Sequence, residues 1–293
     1  MKIRGGFVLA FGSVKGPVRT ENQDDLLCYE PSVAASDPLR LVAVADGMGG
    51  VAGGAEASRI ALRGLLATWI DAAAHARSPR QPDPCERLLE AYRCACDSVA
   101  AECERVAQLR GMGTTLTAIA LTEDRAFGVH VGDSRCLHLC GGEAVWLTDL
   151  HTGGVDDHRL TRAVGAGQLD EEPQTFAVDL HSGDRLLLMT DGFWRAVSEA
   201  ECVAAVRAVG SDEAVAALLQ RAQELDGSDN ATLVLCGFDA EDLGEREVRE
   251  VDAGRHPAIV LDEEAPSRWA VAWPWVLFGV GLAAGLTGWL LRR

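Results

Sequence analysis

The stretch Leu41-Val42-Ala43-Val44-Ala45-Asp46-Gly47-Met48-Gly49-Gly50 decides how this chain folds. Five apolar residues in a row read as a buried strand. A carboxylate follows at once, and glycine follows the carboxylate. Taken singly, Asp-Gly is the commonest signal of a tight turn. Outward from this stretch the arrangement recurs. Asp191 follows the run Leu186–Met189 and Thr190 and precedes Gly192; Asp133 follows Ala126–Val131 and Gly132; Asp229 and Asn230 precede the run Ala231–Cys236. Four strand ends each carry a carboxylate.

An acid emerging from a buried strand costs several kcal/mol if it is desolvated and unpaired. Arginines near these acids are too few and too scattered to neutralise all of them. Hard divalent cations accept oxygen ligands, and a glycine after the aspartate leaves the backbone carbonyl open as a further ligand. Mg²⁺ or Mn²⁺ is therefore the expected partner of the acids.

Between these runs lie helices. Leu62, Leu65, Leu66, Trp69, Ile70 and Ala73 follow the spacing of an amphipathic helix, as do Leu88, Leu89, Tyr92, Cys96, Val99 and Val106. Asp83 caps the second helix, Pro84 suits its first position, and Glu86 completes a capping box. Ser198 with Glu201 starts a short late helix. A further strand runs over Leu116–Leu121. Strands, then two helices, then more strands disfavour a regular βαβ alternation and predict an α+β domain with antiparallel sheets.

The chain has 293 residues, 48% hydrophobic and 24% charged, enough to bury a core. Its net charge of −17 argues against nucleic acid as a partner, since phosphate backbones demand clustered Lys and Arg. Nine cysteines, without a CxxC pair, support neither a disulfide framework nor a zinc finger and fit a reducing compartment. Cys85, Cys96 and Cys103 share the helical pattern and read as small core hydrophobes. Met1 to Ala10 is too weak for a secretory signal, so the folded part is expected in the cytoplasm.

The organisation changes after Phe238. Residues 239–268 read as an acidic linker; from Gly237 to Arg268 ten acids face four arginines. Like charges keep such a segment extended. Trp269 to Leu291 are 23 uncharged, mostly apolar residues followed by Arg292 and Arg293. A helix of that length reaches roughly 34 Å, enough to cross a hydrocarbon core of about 30 Å. Trp269, Trp273, Trp275 and Trp289 sit where rings prefer the interface. The two terminal arginines favour a cytoplasmic end, but the missing export signal weighs more. The expectation is a single-pass, tail-anchored protein of the cell membrane with residues 1–238 on the cytoplasmic side.

In order, residues 7–238 read Gly16-Pro-Val-Arg19-Thr-Glu-Asn22-Gln23-Asp24, Val44-Ala-Asp46-Gly47-Met48-Gly49-Gly50, Gly113-Thr114-Thr115 and Val131-Gly132-Asp133-Ser134-Arg135. Leu160-Thr-Arg-Ala-Val-Gly165, Thr190-Asp191-Gly192 and Asp229-Asn230-Ala231-Thr232 follow. This succession resembles the bacterial members of the PPM family, the metal-dependent Ser/Thr protein phosphatases also called type 2C. The resemblance implies a central sandwich of two antiparallel β-sheets flanked by helix pairs, with two Mg²⁺ or Mn²⁺ ions at one end and a third in bacterial members. It further implies that Asp46 bridges the two ions, that the Gly47 carbonyl holds one, and that Asp191 and Asp229 complete the other. Asp133 with Asp191 matches the third site, Asp24 acts on the metal shell through water, and Arg19 grips the substrate phosphate. Such a site hydrolyses phosphoserine and phosphothreonine in proteins with a metal-activated water, opposing bacterial Ser/Thr kinases.

The chain also departs from the family. Gln23 stands where some relatives have Glu, and Met48 where eukaryotic relatives carry a histidine thought to protonate the leaving alkoxide. The Thr-x-Asp-His element appears as Thr148-Asp149-Leu150-His151, and His151 to Leu160 is shorter than the family's flap-bearing stretch. An altered substrate range follows from these departures. They also motivate a second reading, a membrane-tethered pseudophosphatase that binds phosphoproteins without turnover; a hydrolase of non-protein phosphoesters is a third. The histidines, His130 and His138 among them, lack metal-ligand spacing and read as surface or packing residues. Ser134 lacks a Gly-x-Ser-x-Gly setting, which argues against a serine nucleophile.

Overall fold

The computed structural model describes residues 7–31, 38–75, 83–154, 157–167, 172–208, 210–238, 248–250 and 259–262. The chain opens with β1 (Phe7–Val14), β2 (Asp24–Glu30) and β3 (Arg40–Met48), followed by helices α1 (Gly50–His75) and α2 (Pro84–Arg105). Then come β4 (Gly113–Thr114), β5 (Leu116–Leu121), β6 (Arg125–Val131), β7 (Arg135–Cys140), β8 (Glu143–Trp146), β9 (Thr152–Gly154), β10 (Asp157–Leu160), β11 (Val164–Gly165), β12 (Gln174–Asp179) and β13 (Arg185–Met189). The rest comprises α3 (Asp191–Trp194), α4 (Glu199–Ala208), α5 (Ser211–Leu225), β14 (Ala231–Phe238), β15 (Val248–Glu250) and β16 (Ile259–Asp262).

Two sheets result. One runs β15-β1-β14-β13-β7-β8, and the other β11-β4-β3-β5-β6-β12 with β2 paired to β3. Pairing is antiparallel except where β15 joins β1 and β16 joins β2. The near-continuous apolar runs have a simple cause, since the central strands of each large sheet are buried on both faces. In β3, Leu41, Ala43 and Ala45 face the core shared with α1 and α2, while Val42 and Val44 face the opposite sheet. In β14, Val234, Cys236 and Phe238 fill the space between the sheets, while Leu233 and Leu235 meet the late helices. Period-two alternation thus separates three apolar layers, giving the order helices, sheet, sheet, helices. The expected α+β sandwich with helices on its outer faces is what the described residues form.

The capping signals operate as sequence chemistry requires. Asp83 accepts the Cys85 N–H at 3.2 Å, with Pro84 opening α2. The Ser198 N–H donates to Glu201 at 3.0 Å and the Glu201 N–H returns to the Ser198 hydroxyl at 3.3 Å, a reciprocal box before α4. Between α1 and α2 the buried Arg87 guanidinium stacks over the Trp69 ring at 3.8 Å and donates to the Trp69 carbonyl. All nine cysteines are free, with Cys96 buried and Cys85 and Cys103 half-buried.

Two strand-end assignments need correction. β3 continues through Met48, so Asp46 lies inside a strand and not after it; Asp191 opens a helix. An apolar run marks only the buried part of a strand, and pairing carries the backbone further. β1, β2 and β7 also escaped the sequence reading, because Gly12 and Ser13, Asp24 and Asp25, and His138 interrupt their apolar pattern. Two pieces of the acidic linker, β15 and β16, pair with β1 and β2, whereas the charge pattern favours an extended tether or, around Ala240 to Val251, a docked helix. The 269–291 segment lies outside the described residues. Among the described residues no helix is long and apolar enough to cross a membrane.

Candidate metal centre

β2 and β3 are neighbours whose register sets Asp24 directly opposite Asp46. Like charges across a strand pair repel, and here the pair is carried into the interior. Asp24 is buried, and its Oδ2 accepts hydrogen bonds from the Thr190 and Thr232 hydroxyls, each at 2.7 Å. Burial nonetheless pushes the Asp24 carboxyl up to about 7, against those two hydrogen bonds and with added repulsion from Asp191 and Asp229. Asp46 is raised well above the carboxylate range, first by burial and then by Asp24, Asp191, Asp133 and Asp229.

The backbone at Asp46 is held from β4 and the residue after it. The Thr115 hydroxyl accepts the Asp46 N–H at 2.9 Å, while the Thr114 hydroxyl and the Thr115 N–H donate to the Asp46 carbonyl at 2.9 Å. Gly47 fits its place for lack of a side chain, since a Cβ there would lie 2.0 Å from the Gly54 carbonyl oxygen of α1. The backbone carbonyl of Gln23 accepts the Gly47 N–H at 3.1 Å and the Ser58 hydroxyl at 2.8 Å.

Asp133 sits in the turn from β6 to β7. Gly132 makes that turn at φ 107°, with room for no Cβ against Thr115. The Thr148–His151 element braces the turn: the His151 N–H donates to the Gly132 carbonyl at 2.9 Å, and the Gly132 N–H donates to His151 Nδ1 at 3.2 Å. His130 stacks beside it at 4.8 Å and bridges Thr117 Oγ1 (2.8 Å) and the Asp149 carbonyl (2.9 Å). His130 is therefore a buried, hydrogen-bonded packing residue. So is His138, which meets Asp184 at 3.0 Å. The Ser134 hydroxyl is engaged by Thr115 at 2.6 Å. Burial and Asp191 raise Asp133 to about 6, opposed by Arg195.

The tertiary fold brings Asp46, Asp133 and Asp191 together, with carboxylate oxygens all within 4.8 Å of one another. Asp229 precedes β14 and is raised by burial and by Asp191, and its Oδ2 accepts from Arg19 Nη2 at 2.6 Å. Arg19, expected on a phosphate, here pairs with that carboxylate and donates from Nε to the Ser228 carbonyl at 3.1 Å. The donor set is all oxygen, dense in negative charge and recessed. That chemistry fits hard divalent ions and fits neither zinc held by thiolates nor an organic cofactor. Thr115, Thr190 and Thr232 stand within the quoted motifs, but the sequence assigns them no role, and Arg195 lies outside those motifs. The sequence signal for Arg195 is its spacing of four from Asp191.

Against known proteins, the model of the protein phosphatase 2C family matches residues 18–233. The chain belongs to that family. Among relatives, the serine/threonine protein phosphatase PstP of Mycobacterium tuberculosis is 32% identical over 80% of this chain and 45% of its own length, so this chain spans about half of that relative. Protein phosphatase PhpP of Streptococcus pneumoniae is 29% identical over 78% of this chain and 96% of its own. Among solved structures, the catalytic domain of PstP in complex with two manganese ions is 32% identical, with a TM-score of 0.64 over 79% of this chain and 98% of that one. In this family member the stretch after Thr148-Asp149-Leu150-His151 forms the β9–β10 hairpin, with Leu150 half-buried beside it.

Proposed function

We propose that the protein is a Mg²⁺- or Mn²⁺-dependent phosphatase that removes phosphate from phosphoserine and phosphothreonine of proteins. The observation that carries this reading is the convergence of Asp46, Asp133 and Asp191 oxygens within 4.8 Å of one another. Asp46, the Gly47 carbonyl, Asp191 and Asp229 would hold two ions, Asp133 would join Asp191 at a third, and Asp24 would act behind them. When bound, such ions supply Lewis acidity and lower the pKa of water at neutral pH. Asp24 stands close behind Asp46, and its two threonine hydroxyls fix the orientation of its carboxylate. Arg19, at the exposed rim on the Asp229 side, would turn its fork of N–H donors to the phosphate and orient it. Met48 offers no proton, so the leaving alkoxide takes its proton from water or from the substrate.

The substrates are proteins phosphorylated by bacterial Ser/Thr kinases, or those kinases themselves. Residues 269–291 would anchor the chain in the cell membrane with the catalytic domain on the cytoplasmic side. Similarity to PstP and PhpP supports the activity; the 23-residue uncharged segment supports the anchor. The test is hydrolysis of a phosphothreonine peptide by the purified chain. Activity that needs Mn²⁺ and disappears with Asp46→Asn is expected, and activity undiminished in EDTA overturns the reading. Protease added to right-side-out cells should leave the domain intact, and its digestion overturns the orientation.

A further inference from the structure

Beside the carboxylates stands a cation that the chain supplies itself. Arg195 follows α3, and its Nε lies 3.1 Å from Asp191 Oδ2 while its Nη2 lies 3.2 Å from Asp133 Oδ2. One guanidinium thus spans two of the three acids whose oxygens converge. Its geometry is set by neighbours. The backbone N–H of Arg195 donates to the Asp191 carbonyl at 3.0 Å, which fixes the side chain one helical turn beyond that acid. Its guanidinium stacks on the Trp194 ring at 4.6 Å, and the Trp194 indole N–H donates to the Asp133 carbonyl at 2.8 Å. Arg135 packs on the other side, 3.5 Å from the Trp146 ring and 5.3 Å from that of Trp194. The Arg195 side chain is only 26% exposed and that of Asp133 only 7%, so solvent screens this pair less than a surface ion pair.

The geometry points to Arg195 as a built-in counter-cation that competes with a divalent ion for the Asp133–Asp191 limb of the centre. This rests on reading the acids as a divalent-ion site. The physical reason is competition: the guanidinium already holds Oδ2 of both acids and repels a dication brought to the same limb, so an ion taking those oxygens displaces the fork. Arg19 holds Asp229, whereas Asp46 has no cationic partner among the described residues. The Asp133–Asp191 position should therefore fill only as the Arg195 fork gives way.

The test is Mn²⁺ titration of the full chain in detergent, followed by calorimetry and by the electron-spin signal of free Mn²⁺, in wild type, Arg195→Gln and Arg195→Lys. Removing the fork should tighten the weakest class of Mn²⁺ by about tenfold or more, the size of one charge-assisted pair, or add an ion to the stoichiometry. Adding Asp133→Asn to Arg195→Gln should abolish the gain. Arg195→Lys keeps the charge but loses the two-pronged grip, and should tighten that class by a smaller factor. Isotherms of either variant that superimpose on wild type, or show weaker binding, overturn the role of Arg195 while leaving the metal centre standing. No Mn²⁺ uptake by any of the proteins overturns both.

Discussion

Asp24 and Asp46 face each other directly across the β2–β3 pair, two carboxylates in one cross-strand position at the end of a buried sandwich. An ordinary sheet avoids this, because like charges in that position destabilise the pairing. Their folding cost is relieved by protonation or by a cation, and that choice makes the centre sensitive to pH and metal.

The pH dependence follows from the raised carboxyls. Asp24 titrates at about 7 in the fold, against about 3.9 in an unfolded chain, so the folded state binds the extra proton. Its contribution is most favourable at low pH and is lost as pH rises from about 4 through about 7. Asp133, at about 6, acts in the same direction. The melting temperature of the metal-free protein should fall between pH 5.5 and pH 8, and Mn²⁺ should raise it more at pH 8. Calorimetry showing an equal Mn²⁺ gain at both values would count against this account.

Asp46→Asn should separate stability from activity. Replacing the carboxylate removes repulsion with Asp24, Asp133 and Asp191, so the metal-free variant should melt a few degrees above wild type. Activity on a phosphothreonine peptide should fall more than about a hundredfold, beyond the loss typical of outer-shell partners. A variant both less stable without metal and fully active would be incompatible with the geometry.

Thr232→Val tests the support of Asp24. The hydroxyl donates to Asp24 and is also linked to Ser13 at 2.7 Å. Its loss should cost about 1–3 kcal/mol at pH 8, where the carboxylate is charged, and less at pH 5. Urea unfolding at the two values reads the difference. An equal loss at both would mean that the threonine serves packing alone.

Gly132→Ala should displace Asp133. The new methyl would lie 2.6 Å from the Thr115 side chain at a φ of 107°. A loss of about 1–3 kcal/mol is expected from the strained backbone, together with weaker Mn²⁺ binding. Unchanged metal affinity would show that the turn does not set the Asp133 carboxylate.

Arg19→Lys should raise the KM for phosphopeptide about tenfold with a smaller effect on kcat, because an ammonium cannot reproduce the fork. Steady-state kinetics on the two proteins separates the constants, and an unchanged KM would remove Arg19 from substrate binding.

The sequence by itself was enough to place the strands that are apolar on both faces, the capped starts of α2 and α4, and the ordered aspartates of the family pattern. Those features are local, written in neighbouring residues, and burial on both faces leaves a continuous apolar run. What only the tertiary structure decided was which groups meet. β2 came to lie beside β3 although its leading acids hid it. The hydroxyls of Thr190 and Thr232, more than 160 residues along the chain, closed on Asp24. Arg195 took hold of Asp133 and Asp191, and His151 took hold of Gly132. Except for the Arg195–Asp191 pair, one helical turn apart, these contacts join groups well separated along the chain, where periodicity and composition leave no trace and the packing of the sheets fixes the distance.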